Sequence, residues 1–408
     1  MLNNRLAHLA DYPFTRLAKL LAGIDPPAGR EPILMSLGEP RHAPPELIDR
    51  TLRDNAHLWG KYPPVSGTSE FRTACAGWLN RRYALPAERL NADASILPVA
   101  GTREALFMAA LLVVPECKAG RVPAVLLPNP FYAVYQGAGL IAGAEPVFLT
   151  ASRRTGFLPD LDALTPELLE RTALVYLCTP SNPQGAVATA DYLTRALILA
   201  RRYNFVLAAD ECYAEIYSGT PPAGALEAAA ALDDATGVLT SGGRPWANLL
   251  VFHSLSKRSS AAGLRSGFVA GDPDLIAAFA RLRGYGNAGS PLPVLAAAAA
   301  LWADDAHVED NRTRYRAKFD AAEAVLGGRF GFGRPAGGFF LWLEVGDGEA
   351  AARKLWAEEG VRVLPGAYVS HPDANGVNPG AAYIRVALID EPALITAGCE
   401  AIVRCLVS

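Results

Sequence analysis

The sequence has no CxxC pair, no long basic run and no long apolar stretch. Its six cysteines are scattered along 408 residues, and no His or Cys pair has metal-ligand spacing, so we predict free thiols and no bound metal. With a formal net charge of −3, the chain lacks the basic surface that nucleic-acid binding requires. Because no run of about 18 apolar residues occurs, we also expect no membrane span.

The first eleven residues lack the apolar core of a signal peptide, since they include Arg5, His8 and Asp11. Together with free thiols, this composition predicts a cytoplasmic protein. Apolar residues make up 51% of the chain and charged residues 19%, which allows a large folded core. A length of 408 residues suits two domains, or one large domain with a second built on it.

Short apolar runs alternate with segments of helical periodicity through most of the chain. We predict strands at residues 95–99, 124–127, 146–149, 173–178, 205–209, 249–254 and 266–270. Helices at residues 103–113, 192–203 and 275–282 separate several of them. Almost wholly apolar strands joined through helices predict a mostly parallel sheet covered on both faces. The ligands of such sheets bind at the carboxyl ends of the strands.

The last hundred or so residues have a different pattern. Helices at residues 292–302 and 311–326 lead into strands at residues 338–345, 362–364 and 383–388 and a closing helix. This pattern predicts a smaller α+β domain, with which the apolar run at residues 33–37 is expected to pack. We therefore predict an N-terminal arm with part of the small domain at 1–48, a large domain at 49–290 and a small C-terminal domain at 291–408.

Lys257 stands in the segment VFHSLSKRSSAAGLRSG, directly after a buried strand and among hydroxyl residues. A lysine in this setting can be desolvated, which lowers its pKa and makes its amine a nucleophile toward a carbonyl group. Ser254 precedes it by three residues and Arg265 follows it by eight, and the two could bind a dianion beside it. An isolated lysine at a strand end is more often a solvated loop residue, so this interpretation depends on the other motifs.

Asp210 ends the apolar segment FVLAAD, where a carboxylate is costly unless it meets a cation. One interpretation is a helix cap or a local salt bridge. The other is a partner for a protonated pyridine nitrogen, which keeps such a ring able to accept electrons. Tyr213 and Asn182 would then contact the phenolic oxygen of that ring, although Asn182-Pro183 alone indicates only a turn.

Three further places could bind an anion or a planar ring. The segment AGTR, with Gly101, Thr102 and Arg103, joins a strand to a helix, whose free N–H groups suit phosphate; an ordinary turn capped by Thr102 fits as well. Tyr132 could lie against a ring or simply fill the core. Arg385, in the apolar strand YIRVAL, needs a carboxylate, either from an amino-acid substrate or from a structural salt bridge.

Six short motifs occur together and in order: GTREAL, PFY, SNPQG, ADECY, SLSK followed by Arg265, and YIRVAL. In this order the chain resembles, over essentially its whole length, the class I and II aminotransferases of the pyridoxal-phosphate-dependent fold type I. Each motif is weak alone, but the ordered set is specific. The resemblance implies an α/β fold with a mostly parallel sheet between helices in a large domain, a smaller α+β domain, pyridoxal 5′-phosphate as cofactor, and transamination.

The resemblance also implies a role for each matching residue. Lys257 would be the catalytic residue and carry the cofactor as a Schiff base, while Asp210 would bind the pyridine nitrogen. The other implied cofactor contacts are Asn182 and Tyr213 at the phenolic oxygen, Tyr132 on the ring, and Gly101, Thr102, Arg103, Ser254, Ser256 and Arg265 at the phosphate. Arg385, with Gly38 and Asn182, would bind the substrate α-carboxylate. Thr102-Arg103 departs from the family, in which Gly followed by a smaller or lysine side chain is common.

Tyr62, in KYPPVSG, matches the family tyrosine that reaches the phosphate in the other subunit's site, which implies a homodimer. Within the family, the segments LAHLADYPFTRLAKLL, SLGEPRHAPP and AGTREALF are most similar to bacterial N-succinyldiaminopimelate aminotransferases of lysine biosynthesis. The implied reaction transfers an amino group from N-succinyl-LL-2,6-diaminopimelate to 2-oxoglutarate.

Arg41, close to Gly38, is either a surface arginine or the group that binds a distal carboxylate of that substrate. Other activities stay open as well. They are another class I aminotransferase (aspartate, aromatic or alanine type), a pyridoxal-phosphate-dependent lyase of the same fold, and, last, an aminotransferase-like effector domain of a transcription regulator.

Overall fold

The computed structural model describes residues 2–86, 89–236, 244–286 and 289–407. The strands are β1 (Ile33–Leu34), β2 (Ile96–Val99), β3 (Ala124–Asn129), β4 (Glu145–Thr150), β5 (Thr172–Cys178), β6 (Val206–Asp210), β7 (Leu249–Ser254), β8 (Gly267–Gly271), β9 (Phe340–Glu344), β10 (Val361–Arg362), β11 (Leu364–Pro365) and β12 (Tyr383–Ala387). The helices are α1 (Pro13–Leu20), α2 (Leu47–Asp54), α3 (Ser69–Tyr83), α4 (Ala92–Ser95), α5 (Thr102–Val113), α6 (Ala133–Ala142), α7 (Pro166–Arg171), α8 (Ala190–Tyr203), α9 (Ala225–Thr236), α10 (Leu255–Arg258), α11 (Pro273–Gly286), α12 (Leu292–Ala303), α13 (Ala306–Leu326), α14 (Gly348–Glu359) and α15 (Pro392–Leu406).

A seven-stranded sheet in the order β2-β8-β7-β6-β5-β3-β4 forms the centre of the molecule. The pairs β3–β4, β3–β5, β5–β6 and β6–β7 are parallel, whereas β8 runs antiparallel to both β2 and β7. The prediction of a mostly parallel sheet is confirmed, and the seven predicted strands lie within two residues of their observed bounds.

Helices cover both faces of this sheet, which explains why its inner strands are apolar without alternation. Along β5, Leu174 and Tyr176 enter the core on the side of α5, α6 and α11, while Val175 and Leu177 enter the core on the side of α3, α8, α9 and α12. Each inner strand therefore contributes buried side chains to two separate cores.

A second, smaller unit contains the three-stranded antiparallel sheet β11-β12-β9. Its core includes side chains of α13, α14 and α15 and also Met35, and β1 pairs in parallel with β10. The chain therefore contributes an N-terminal segment to a unit otherwise built from its end.

The division of the chain at residues 48 and 290 stays a prediction. Leu295, Leu301 and Trp302 of α12 lie in the same core as Trp78 of α3 and the strands of the large sheet. This packing favours a boundary after α12 rather than before it, because α12 shares no core cluster with the small sheet among the described residues.

The topology brings several chain segments to one edge of the large sheet. Cys178 and Asp210, which end β5 and β6, are register partners, and β7 ends beside them at Ser254. Strand β2 is antiparallel to β8, which is antiparallel to β7, so β2 also ends at this edge and leads into α5. Of the helices that the structure describes, none has the length and apolar character needed to cross a membrane.

Candidate active site

A cavity of about 440 Å³ lies at the carboxyl ends of the sheet strands, between the large sheet and the small unit. Most of the residues singled out from the sequence line it. They are Gly38, Thr102, Arg103, Tyr132, Asn182, Asp210, Tyr213, Ser254, Ser256, Lys257, Arg265 and Arg385. Phe340 and Val369 of the small unit and Tyr12 near the N-terminus are also part of the wall. Residues from distant parts of the sequence therefore meet in one enclosure.

Lys257 lies in α10, a single turn directly after β7, and Ser254 caps that turn by accepting a hydrogen bond from the backbone N–H of Ser256 at 3.1 Å. Burial lowers the pKa of Lys257 to about 8, although Cys212 and Glu39 oppose the shift. Its Nζ donates a hydrogen bond to the carbonyl oxygen of Gly38. The amine is therefore closer to its reactive, uncharged form than that of an exposed lysine.

Asp210 ends β6 and is only 5% exposed. Burial raises its pKa, while hydrogen bonds from the hydroxyl of Tyr135 (2.6 Å to Oδ2) and the backbone N–H of Cys212 (3.2 Å to Oδ1) favour the ionised form. Within the described residues, no Lys, Arg or His forms an ion pair with it. A buried carboxylate without a cation fits a ligand that brings a positive charge, as a protonated pyridine nitrogen does.

Arg385 projects from β12 into the cavity and is also 5% exposed. Its Nη1 donates to Oδ1 of Asn182 at 3.0 Å, its Nη2 donates to the carbonyl oxygen of Ser36 at 2.8 Å, and its guanidinium lies 4.3 Å from the ring centre of Phe340. Burial lowers its pKa to about 10. Its Nε has no partner and no carboxylate pairs with it in the part of the chain that the structure describes. The geometry fits a carboxylate from outside the chain.

The elements of an anion site converge beside Lys257. Gly101 caps α5 with a φ of 85°, and a Cβ there would lie 2.2 Å from Nη2 of Arg265, so only glycine lets that guanidinium approach. The hydroxyls of Ser254 and Ser256 are 3.0 Å apart. Together with the N–H groups that begin α5, this arrangement fits a phosphate dianion. Gly101 itself is absent from the described cavity lining and acts by admitting Arg265.

The side chain of Arg103 is hydrogen-bonded to two tyrosines of the cavity wall. Its Nε donates to the hydroxyl of Tyr132 at 2.7 Å, and its Nη2 donates to the hydroxyl of Tyr12 at 3.4 Å. These bonds hold its guanidinium at the cavity beside the N-terminal segment, and its predicted contact with phosphate stays a prediction. Thr102 turns its hydroxyl to Sγ of Cys212 at 3.0 Å, so a contact with phosphate through its backbone N–H is the one that fits.

Two other predicted residues lie outside the described cavity lining. Arg41 forms an ion pair of 2.6 Å with Asp390, a buried carboxylate that needs a cation, so the geometry argues against a contact between Arg41 and the substrate. Tyr62 is 99% exposed on the surface of the chain, and its predicted position in a neighbouring subunit's site stays a prediction.

Sequence reasoning missed Tyr135, which supplies the hydroxyl bonded to Asp210, and Cys178, which lies beside it in the cavity wall. One signal for Tyr135 was present. It follows Tyr132 by three residues at the beginning of α6, a spacing that places both on one face of a helix.

The buried carboxylate of Asp210 and the desolvated amine of Lys257 share one cavity at the carboxyl edge of the sheet. This arrangement is typical of an enzyme that binds an amino-acid substrate and a cofactor. The class I and II aminotransferase family matches residues 30–402 of the chain. The chain therefore belongs to the class I and II aminotransferases, which are pyridoxal-phosphate-dependent enzymes of fold type I.

Individual proteins agree with this family. An aminotransferase structure from Neisseria meningitidis is similar at a TM-score of 0.92 and 41% identity, over 99% of this chain and 100% of that one. The 4-dedimethylamino-4-oxo-anhydrotetracycline transaminase OxyQ of Streptomyces rimosus is 31% identical over 86% of this chain and 88% of its own length. The LL-diaminopimelate aminotransferase of Syntrophobacter fumaroxidans is 29% identical over 94% of this chain and 93% of its own length.

Proposed function

We propose that this aminotransferase transfers the amino group of N-succinyl-LL-2,6-diaminopimelate to 2-oxoglutarate, a step of lysine biosynthesis. Transamination is supported mainly by one observation. Lys257, which follows β7, and Asp210, which ends the neighbouring β6, face the same cavity as the guanidinium of Arg385, which has no carboxylate partner in the described part of the chain. The choice of donor is supported by the similarity of the sequence motifs to N-succinyldiaminopimelate aminotransferases. It is also supported by a relative named LL-diaminopimelate aminotransferase, which matches 94% of the chain.

Pyridoxal 5′-phosphate, when bound, supplies an electron-accepting ring that makes the Cα proton of an amino acid acidic. Asp210 would hold the ring nitrogen, and Tyr132 would lie against the ring. Asn182 and Tyr213 would contact the phenolic oxygen. The phosphate would be held by Ser254, Ser256, Arg265 and the backbone N–H groups that follow Gly101.

The side chains of the cavity divide the remaining work. Arg385 binds and orients the α-carboxylate of the substrate through its planar guanidinium. The amine of Lys257, with a pKa of about 8, would take the proton from Cα of the donor and deliver it to C4′ of the cofactor within the same half of the reaction. The second half, with the keto acid, would run this transfer in reverse. Phe340 and Val369 close the cavity from the side of the small unit and keep water away from that proton transfer.

A donor with a second, distant carboxylate needs a second cation, and Arg103 fits this role better than Arg41. Arg103 lines the cavity and has no acidic partner among the described residues. Its bonds to Tyr132 and Tyr12 use Nε and Nη2, which leaves Nη1 available to a ligand. Arg103 would therefore bind the distal carboxylate of the succinylated donor.

The chain would form a homodimer in which Tyr62 of one subunit reaches the active site of the other. Tyr62 is 99% exposed, and a tyrosine ring left in water is available for burial against a second copy. The complementation experiment in the Discussion tests this arrangement directly.

A donor panel tests the proposed activity. The purified chain, loaded with pyridoxal 5′-phosphate, is assayed with 2-oxoglutarate against N-succinyl-LL-2,6-diaminopimelate, LL-diaminopimelate, aspartate, alanine and phenylalanine, with glutamate as the measured product. We expect kcat/KM for the succinylated donor to exceed the others by about tenfold or more. Higher activity with another donor would show that the proposed substrate is wrong, while transamination would stand. Formation of a keto product without glutamate would indicate a lyase.

A further inference from the structure

Asn311, in the second turn of α13, bonds the backbone of the turn that carries Lys257. Its Nδ2 donates to the carbonyl oxygens of Lys257 at 3.0 Å and of Arg258 at 3.2 Å. Its Oδ1 accepts from the hydroxyl of Ser260 at 3.0 Å. Asn311 is 7% exposed, so these bonds are protected from water. They fix the path of the turn and therefore the direction in which the lysine side chain leaves it.

His42 connects the same asparagine to the loop that contacts the other end of the lysine. Its Nδ1 lies 3.1 Å from Oδ1 of Asn311. Four residues before His42, the carbonyl oxygen of Gly38 accepts the hydrogen bond from Nζ of Lys257. One loop thus holds Lys257 twice, by its amine through Gly38 and by its backbone through His42 and Asn311.

The orientation of the Asn311 amide determines which nitrogen of His42 carries a proton. Only an NH₂ group can donate to two carbonyl oxygens, so the amide oxygen faces His42 and the proton of that hydrogen bond belongs to Nδ1. Burial lowers the pKa of His42, and the charge of Lys318 lowers it further, so the ring is neutral at pH 7. Nε2 has no partner among the described residues. Among the described residues, the polar contribution of His42 is therefore one hydrogen bond, donated by Nδ1.

We propose that His42 and Asn311 are positioning residues that hold the Lys257 turn and the Gly38 loop in the relative orientation needed for proton transfer at the substrate. Neither lines the cavity, so both act through the atoms that they bind. The proposal rests on the assignment of Lys257 as the reactive amine in the proposed transamination.

Two substitutions of His42 separate its hydrogen bond from its packing. Its ring lies against Tyr315 with ring centres 5.1 Å apart. His42→Phe keeps a ring in that space and removes the Nδ1 donor. His42→Asn loses most of the ring, but its side-chain amide places an N–H at the position of Nδ1. A third variant, Asn311→Asp, is isosteric and turns an acceptor toward the two carbonyl oxygens of the lysine turn.

Two measurements on the full-length chain test the proposal. The first is steady-state kinetics of the cofactor-loaded enzyme with its best donor. The second is the rate at which a small amine-reactive reagent modifies Lys257 in the cofactor-free chain, followed by peptide mass spectrometry from pH 6 to 11. The second measurement reports the pKa of the lysine itself and does not depend on turnover.

For His42→Phe and Asn311→Asp we expect kcat about tenfold lower with a smaller change in KM, and the labelling pKa of Lys257 moved upward as water reaches a loosened amine. His42→Asn should retain kcat within about threefold and leave the labelling pKa of Lys257 unchanged, even though this variant loses packing. The opposite ranking, with His42→Phe like the wild type and His42→Asn impaired, would overturn the proposal and leave His42 as a packing residue. A wild-type Lys257 that titrates like an exposed lysine would instead contradict the proposed function.

Discussion

The hydroxyl of Tyr135 donates a hydrogen bond of 2.6 Å to Oδ2 of Asp210, and both side chains are buried. Burial raises the pKa of Asp210, and this hydrogen bond opposes that rise. Tyr135→Phe should therefore raise the pKa of Asp210 further and reduce the negative charge available to a cationic ring nitrogen. We expect weaker binding of pyridoxal 5′-phosphate and kcat/KM about tenfold lower, as measured by absorbance titration and steady-state kinetics.

Tyr176 provides a matched control for that substitution. Tyr176 stacks on Tyr135 with ring centres 4.5 Å apart, but its hydroxyl donates to the carbonyl oxygen of Leu106. Tyr176→Phe removes a buried hydroxyl of the same kind without touching Asp210. Equal losses in the two variants would show that the Tyr135 bond supports the fold and not the charge of Asp210.

Arg103 and Arg41 give a second prediction, because only one of them faces the cavity. Arg103→Gln should lower kcat/KM for N-succinyl-LL-2,6-diaminopimelate by about ten- to a hundredfold and leave alanine almost unaffected, since alanine has no distal carboxylate. Arg41→Gln should leave both donors unchanged. It should instead lower the free energy of unfolding by about 1 kcal/mol, because Asp390 loses its ion-pair partner. Selective loss of the succinylated donor in Arg41→Gln would reverse this assignment.

Tyr62 allows a test of the dimer by complementation. Lys257→Ala removes the catalytic amine, and Tyr62→Ala removes the group predicted to enter the neighbouring site. Each variant should have low activity alone. If the two chains are unfolded together and refolded as a mixture, each hybrid dimer contains one intact site, so activity should return to about a quarter of the wild-type value. A mixture as inactive as its components would show that Tyr62 serves its own chain.

Lys318 gives a pH-dependent prediction for stability. It is 1% exposed, its Nζ donates to the carbonyl oxygen of Ile389 at 2.7 Å, and burial lowers its pKa to about 8. An unfolded lysine has a pKa of about 10.4, so between these two values the unfolded chain binds more protons than the folded one. The contribution of Lys318 to the free energy of unfolding therefore increases as pH rises from about 8 to about 10.4.

Urea unfolding of the cofactor-free protein and of Lys318→Met measures that contribution as a difference. The wild-type value minus the variant value should increase by about 3 kcal/mol between pH 7 and pH 10.5 and stay level between pH 6 and pH 7. A difference that does not change with pH would mean that the amine of Lys318 titrates like that of an unfolded lysine.

The sequence predicted the large sheet well because its strands are buried on both faces and read as short apolar runs, as at β5 and β7. Lys257 and Asp210 were predictable for a related reason. A charged residue at the end of a buried strand is costly unless it has a partner or a function. Helix α3 was not predicted, because Arg72, Arg81 and Arg82 interrupt its apolar pattern. In the structure each of the three is paired with a carboxylate from another segment of the chain.

Contacts between distant segments could not be predicted. The ion pair between Arg41 and Asp390 joins residues 349 positions apart, and the bond between His42 and Asn311 spans 269. No local pattern indicates either partner, because each side chain is explained only by the element packed against it. The sequence therefore left Arg41 open between a surface position and a substrate contact, and it indicated no role for Asn311.

The antiparallel pairing of β7 with β8 has a practical consequence for protein engineering. The register joins Ser254 to Gly267, and both Lys257 and Arg265 lie in the connection between them. One inserted residue would change the spacing between the two or between them and the strands, and the strands could not compensate, since a one-residue slip turns every side chain to the opposite face. Chimeras with other aminotransferases should therefore exchange this connection as a single block of unchanged length, with crossover points placed outside the two strands.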